Sequence, residues 1–362
     1  MSHKPRARDL SLPFPGQPGP WNAITDVPGL EVGFTTLVEG EGEDAIRTGV
    51  TAILPRGRAG GAGAVWAGCH SFNGNGEMTG MHWVAEAGWL RGPVLVTNTH
   101  AVGMAHHAAT GWMRRLAGKP GDFGWVLPVV AETCDNWLNA MDRRALTEEH
   151  VLAALEAAED GPVPEGNVGG GAGMIAYEFK GGTGTASREV ALTAAHPVRV
   201  GVLVQANFGR RPHLTVLGAP VGRLMPEGAI FSREQGSIIG VLATDAPLHP
   251  LQLQRVARRM ALGMGRTGAF GGNGSGDIFL AFSTAGDPLD PGVGGIARLD
   301  HVPDGGLDPL FLAAAEATEE AIVNALVAAE TMTGCLGRTV QALDAAAMAA
   351  LVHRVHAAAA RP

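Results

Sequence analysis

Three features of the sequence predict a layered α/β fold. Short apolar segments of strand length recur along the chain, amphipathic segments of helical period lie between or after them, and apolar residues suffice for a large core. The chain has 362 residues, of which 46% are hydrophobic. That length admits two domains or one large layered domain.

The first twenty residues have a basic start and are punctuated by Pro, with no apolar run of signal-peptide length. They read as a polar arm, residues 1–20, ahead of a single domain over residues 21–362. Between Trp21 and Pro55, LEVGF (Leu30 to Phe34) and TGVTAILP (Thr48 to Pro55) flank a polar Gly/Glu turn, which predicts a hairpin or strand pair. Further strands are expected at Pro93 to Thr97, Trp125 to Ala131, Val198 to Ala206, Gly236 to Thr244 and Asp277 to Ser283. Helical patterns cover Gly103 to Leu116, Thr147 to Ala158, Pro250 to Met264 and Pro309 to Met332. In the third of these, Leu251, Val256, Met260 and Met264 lie near one face while Arg255, Arg258 and Arg259 are left for solvent, as expected of a helix on a sheet. Two stretches rich in Gly, Pro and Asp, Glu159 to Gly173 and Ala285 to Gly306, read as long loops.

A formal net charge of −8 argues against a nucleic-acid or anionic-membrane surface, which needs clustered Lys and Arg, and favours small substrates. No run of about 18 apolar residues suggests a membrane span. Cys69, Cys134 and Cys335 are odd in number and far apart, so neither a disulfide framework nor a zinc site follows, and a reducing, cytoplasmic setting fits. The thirteen histidines include His70, His82, His100 and the pair His106–His107, but none forms H-E-x-x-H. No metal or cofactor is expected.

The 53 glycines are about twice ordinary usage, which draws attention to the Gly-rich segments. NVGGGAGM (Asn167 to Met174) lacks the Lys-Ser or Lys-Thr of a phosphate loop, and the dinucleotide fingerprint is absent in the required form. TGAFGGNGSGDIFLAFST (Thr267 to Thr284) leads through Gly274 and Ser275 into an apolar strand. Breaking the Gly274–Ser275 peptide gives Ser275 an α-amine of pKa about 7.7 to 8.0 beside its own hydroxyl, so one residue holds nucleophile and base. Taken alone, the segment also reads as a Gly-rich turn before a strand.

At this point the sequence resembles the L-aminopeptidase/D-esterase and β-aminopeptidase family of self-cleaving serine peptidases. The resemblance runs from Asn22 to Gly337 through NAITDVPGLEVGFTT, RTGVTAILPR, NGNGEMTG, TNTHAVG, PVVAET, GNVGGGAGM, FKGGTGTASR, GVLVQANFG, NGSGDIFLAFSTA and EATEEAIVNAL, in that order. It implies a four-layer α/β/β/α sandwich, related in chemistry to N-terminal-nucleophile hydrolases but with its own strand connectivity. It implies a self-processing aminopeptidase acting on small peptides, amides or esters, cut into an α chain 1–274 and a β chain 275–362. The implied assembly is a homotetramer of αβ units.

Residue by residue, the resemblance puts the nucleophile on Ser275, the oxyanion-stabilising amide on Asn207 and the carboxylate for the substrate's ammonium on Glu132. Thr318 and Glu320 fall where the family's Ser-x-Glu pair is aligned, and Cys134 stands where members with an aromatic residue after E-T carry Tyr. An amide N–H suits a developing oxyanion, and a thiol cannot reproduce a phenol's reach or acidity. Two other classes are weighed: an acyltransferase of the ornithine-acetyltransferase type, whose usual nucleophile is Thr, and a non-catalytic binding protein, which would stay uncut.

Overall fold

The computed structural model describes residues 4–117, 125–193, 196–234, 236–290, 292–293 and 295–359. Residues 1–3 of the arm, and 291 and 294 of the second predicted loop, lie outside the described residues.

The first sheet comprises β1 (Glu31–Glu39), β2 (Ile46–Leu54), β5 (Val94–Asn98) and β6 (Val129–Thr133), in the order β1-β2-β5-β6. The second comprises β3 (Ala64–Gly74), β4 (Trp89–Arg91), β7 (Gly182–Thr193), β8 (His196–Asn207), β9 (Gly236–Thr244) and β10 (Ser275–Ser283), in the order β4-β3-β10-β9-β8-β7. The predicted first hairpin is present, with Glu31 opposite Leu54. Only β5/β6 and β9/β10 pair in parallel; the other neighbours within these sheets are antiparallel.

Three apolar cores separate four layers. Helices α1 (Val102–Ala117) and α2 (Glu148–Glu156) bury Ala105, Ala109, Met113, Val151 and Leu155 against Val50, Ala52 and Leu95 of the first sheet. Helices α3 (Pro250–Arg266), α4 (Asp308–Val327) and α5 (Ala345–Ala359) cover the far face of the second sheet with Val256, Met260, Ala317, Ile322 and Leu351. Between the sheets, Ile53, Val94 and Val96 meet Leu203, Ile239, Val241, Ile278 and Leu280. Every residue of β2 is buried because both of its faces are covered. This is the α/β/β/α sandwich expected from the resemblance.

The helix over Pro250 to Arg266 is amphipathic and buries Val256, Met260 and Met264 as predicted, but Leu251 is exposed and Leu253 is buried instead, while the last predicted helix begins at Asp308 and stops at Val327, short of Met332. From Ala313 onward every residue of α4 is buried. Close approach makes this possible: a Cβ on Gly184 of β7 would stand 2.0 Å from the Ala321 carbonyl oxygen, and one on Gly263 of α3 2.4 Å from that of Ala315.

The arm departs from expectation. Ala7, Leu12 and Phe14 are buried in the core under α4, Arg6 pairs with Glu165 at 2.6 Å and Arg8 with Glu320 at 2.8 Å. The predicted boundary at residue 20 therefore does not separate the arm from the packed structure. Among the described residues, no helix is long and apolar enough to cross a membrane.

Candidate active site

A cavity of about 770 Å³ opens where the ends of β6, β8 and β9 meet the turn before β10. Its lining includes Glu132, Cys134, Asn207, Gly236, Ser237 and Gly274. It therefore unites four of the residues singled out in the sequence with one pair, Gly236–Ser237, that was not.

Strand alternation decides which side chains can meet, because successive residues point to opposite faces of a sheet. Along β9, Ile238 and Leu242 pack under the helices, whereas Ile239, Val241 and Ala243 lie between the sheets. Ser237 thus projects to the inter-sheet side. Along β8, Leu203 lies between the sheets and Val202, Val204 and Ala206 face the helices, so Asn207 shares that side with Ser237, its register partner. Along β10, Phe279 and Ala281 face the helices, and Ser275 has their parity.

Ser275 consequently stands on the opposite face of the sheet from Asn207. It is fully buried, does not line the cavity, and its hydroxyl donates to Asp277 Oδ1 at 2.6 Å. The preceding turn also differs from a cleavage site that needs glycine. Gly274 does not occupy the positive-φ region, and a Cβ there would meet only the Glu234 carbonyl oxygen at 3.3 Å. Gly236 has φ +132°, and a Cβ on it would lie 1.9 Å from the Asn207 carbonyl oxygen. The position that requires glycine is the one before Ser237.

Asn207 is held at both ends of its amide. Oδ1 accepts from Ile175 N at 2.8 Å and Nδ2 donates to the Cys134 carbonyl at 2.9 Å. Since a backbone N–H can only donate, this fixes Oδ1 away from the cavity and leaves the second N–H of Nδ2 for a ligand. Ser237, a residue 4% exposed on the cavity wall, has no hydrogen-bond partner for its Oγ among the described residues.

Glu132, the penultimate residue of β6, has one oxygen accepting from Glu77 N at 3.0 Å and the other from the Thr99 hydroxyl. Burial raises its pKa, against the two hydrogen bonds, which favour the carboxylate. Gly76 lets this carboxylate approach β10: a Cβ there would be 3.3 Å from Glu132 Oε1 and 3.5 Å from Gly276 Cα. Gly276 is the register partner of Ser237, so Glu132 faces the same corner of the cavity. Cys134 lines the wall with its thiol near Met141 Sδ at 3.7 Å, and burial pushes the thiol's pKa up, which keeps it protonated.

Thr318 and Glu320 lie elsewhere. Thr318 donates to the Ala314 carbonyl within α4 at 2.7 Å. Glu320 is fully buried between Arg8 and Arg188, each at 2.8 Å, and accepts from Asn22 Nδ2 at 2.6 Å. Neither touches the cavity. The expected hydroxyl-x-acid pairing does occur in this structure, but as Ser275 and Asp277. Burial raises Asp277 to about 6, with Glu234 acting in the same direction and the Ser275 hydrogen bond opposing.

Sequence reasoning missed Ser237 although its signal was present. Gly236-Ser237 opens a predicted strand, as Gly274-Ser275 leads into one, and the two pairs stand side by side in the sheet, with Gly236 opposite Ser275.

Residues 22–340 match the sequence profile of peptidase family S58. The β-peptidyl aminopeptidase BapA of Sphingosinicella microcystinivorans is 48% identical over 370 residues, covering 97% of this chain and 92% of that protein. The L-aminopeptidase D-Ala-esterase/amidase of Ochrobactrum anthropi, a prototype for the serine aminopeptidases and a variant of the Ntn hydrolase fold, has a TM-score of 0.92 at 50% identity. That similarity covers 98% of this chain and 99% of the solved one. A Burkholderia sp. β-aminopeptidase gives 0.90 at 44% identity, covering 99% and 100%. Fold and relatives together define a serine aminopeptidase on a variant of the Ntn hydrolase fold. The chain belongs to peptidase family S58.

Proposed function

We propose that the chain cuts itself between Gly236 and Ser237, not between Gly274 and Ser275, and that Ser237 is then the nucleophile of an aminopeptidase. The α chain is residues 1–236 and the β chain 237–362. The observation that carries this reading is that Ser237, Asn207 and Glu132 line one cavity while Ser275 projects from the far face of the sheet.

In the self-cleavage, Ser237 Oγ attacks the Gly236 carbonyl carbon and the acyl group moves from nitrogen to oxygen. Water then hydrolyses the resulting ester, leaving the Gly236 carboxylate and a Ser237 with both hydroxyl and α-amine free. The amine emerges beside Ser275, the register neighbour of Gly236, whose hydroxyl leads to Asp277. Asp277 Oδ2 is buried without a hydrogen-bond partner among the described residues, which leaves an acceptor for that amine. Ser275 and Asp277 thus take the role of proton relay that the resemblance placed on Thr318 and Glu320.

In turnover, the substrate's ammonium sits on Glu132, Ser237 Oγ attacks the first carbonyl, and its proton passes to the α-amine. The free N–H of Asn207 Nδ2 donates to the oxyanion. The leaving amine or alcohol takes the proton, and water releases the acyl group from Ser237. Substrates are small peptides, amides or esters with a free amine. The apolar lining residues Trp137, Ile175 and Phe231 suit a small uncharged first residue such as Ala or a β-amino analogue. The names of the relatives, a β-peptidyl aminopeptidase and an L-aminopeptidase D-Ala-esterase/amidase, support that range. Cytoplasmic placement rests on the three free cysteines. A homotetramer of αβ units rests on the family resemblance and on exposed apolar residues such as Leu251 and Val293.

The test is one variant examined by denaturing mass spectrometry and with an alanyl p-nitroanilide. Ser237→Ala should remain one full-length chain without turnover, whereas a cut and active Ser237→Ala overturns the assignment.

A further inference from the structure

Resting on the reading of Asn207 as the oxyanion donor, we infer that Lys180 is a positioning residue for that donor, acting through the single peptide unit that joins Met174 to Ile175. Lys180 is fully buried and remote from solvent. Its Nζ, whose pKa burial lowers to about 7, donates to the Met174 carbonyl at 2.9 Å, and also to those of Gly181 at 2.9 Å and Gly171 at 3.3 Å. The other end of the same Met174–Ile175 peptide is the Ile175 N–H, which donates to Asn207 Oδ1 at 2.8 Å.

A trans peptide holds its C=O and N–H on opposite sides, so Lys180 and Asn207 grip one rigid plate from its two edges. Drawing electron density toward the Met174 oxygen makes the Ile175 N–H a stronger donor, as in any hydrogen-bonded chain in a low-dielectric interior. The plate in turn orients the Asn207 amide. With Oδ1 committed to Ile175 and one N–H to the Cys134 carbonyl, the remaining N–H has one direction left. The Met174 carbonyl also accepts from Gly181 N at 2.9 Å, so Lys180 adds a second donor to a plate whose preceding glycines are packed closely through their backbone between the sheets.

The test is a double-mutant cycle on the full chain, reading turnover per cut chain and the rate of self-cleavage, since Asn207 serves both steps. Lys180→Met keeps the aliphatic stem and removes the donor; kcat should fall by about 10- to 100-fold with KM within about twofold, as for a misplaced donor. Lys180→Gln, which restores two N–H donors without the charge, should fall between Lys180→Met and the natural chain. It carries the cycle if Lys180→Met does not fold. Added to Asn207→Ala, either substitution should cause no further loss, because the group it positions is gone. Multiplicative losses in the double variant, or Lys180→Met and Lys180→Gln both at natural kcat, would overturn the inference. An Asn207→Ala chain with natural kcat would instead overturn the oxyanion reading itself, whatever Lys180 does.

Discussion

Asn207 and Ser237 are register partners on adjacent antiparallel strands and project from the same face of the six-stranded sheet into one cavity. An amide donor and a hydroxyl so placed can act on one carbonyl group: the hydroxyl on its carbon, the N–H on its oxygen. Ser275, one strand further on, has the opposite parity and cannot share that geometry with Asn207.

Glu132 should restrict the enzyme to free N-termini. An alanyl p-nitroanilide should be hydrolysed, and its N-acetylated form should not, because the acetylated amine would leave a desolvated carboxylate without its counter-charge, a loss of several kcal/mol. Glu132→Gln should lose most of this discrimination along with activity toward the free amine. Equal hydrolysis of the two compounds by the natural chain would replace the ammonium clamp with a general amidase.

Asp277 gives the self-cleavage a pH dependence of definite sign. Burial holds this carboxyl at about 6 in the uncut chain, so it is protonated and unable to accept a proton below that value and ionised above it. Precursor freshly made by cell-free translation should therefore cut faster as pH rises through about 6, and slower by about tenfold for each unit below it. Asp277→Asn should cut slowly and without this acid limb. A natural chain whose cutting rate is flat from pH 5 to 8 would remove Asp277 from the relay.

Glu320 should matter for stability and not for chemistry. Arg188→Ala leaves the buried Glu320 carboxylate with one cation, Arg8, and the Asn22 amide, and should destabilise the fold by about 3 to 5 kcal/mol. Chemical denaturation checks this. At temperatures where the variant remains folded, kcat and KM should stay near the natural values. A Glu320→Gln chain of natural stability and lost turnover would return Glu320 to the catalytic machinery.

The alternating apolar strands and the amphipathic α3 were legible because water faces one side of the pattern, or because a wholly apolar run leaves little choice. β7 was not, since Thr183, Thr185, Ser187 and Arg188 are polar yet buried, their side chains satisfied by the Val168 and Val202 carbonyls, Asp26 and Glu320. The glycine run before Met174 read as loop, although Gly170 is threaded so tightly between the sheets that a Cβ would meet the Val96 carbonyl oxygen at 2.5 Å. In the site, Glu132 and Asn207 were legible through resemblance and reach the cavity. The choice between Gly236–Ser237 and Gly274–Ser275 was not, because the two motifs are alike in sequence. What separates them is which face of the sheet lies between the layers, and that depends on strand order.

The central claim is the position of the cut, and the masses of the two chains from the natural protein test it most directly. Apportioning 37.3 kDa by length, a cut before Ser237 gives fragments of about 24 and 13 kDa, with the smaller one beginning Ser-Ile-Ile-Gly. A cut before Ser275 gives about 28 and 9 kDa, with the smaller one beginning Ser-Gly-Asp-Ile. Denaturing mass spectrometry with N-terminal sequencing of the smaller chain should return the first pair; the second pair, or an active protein that is never cut, would contradict the account.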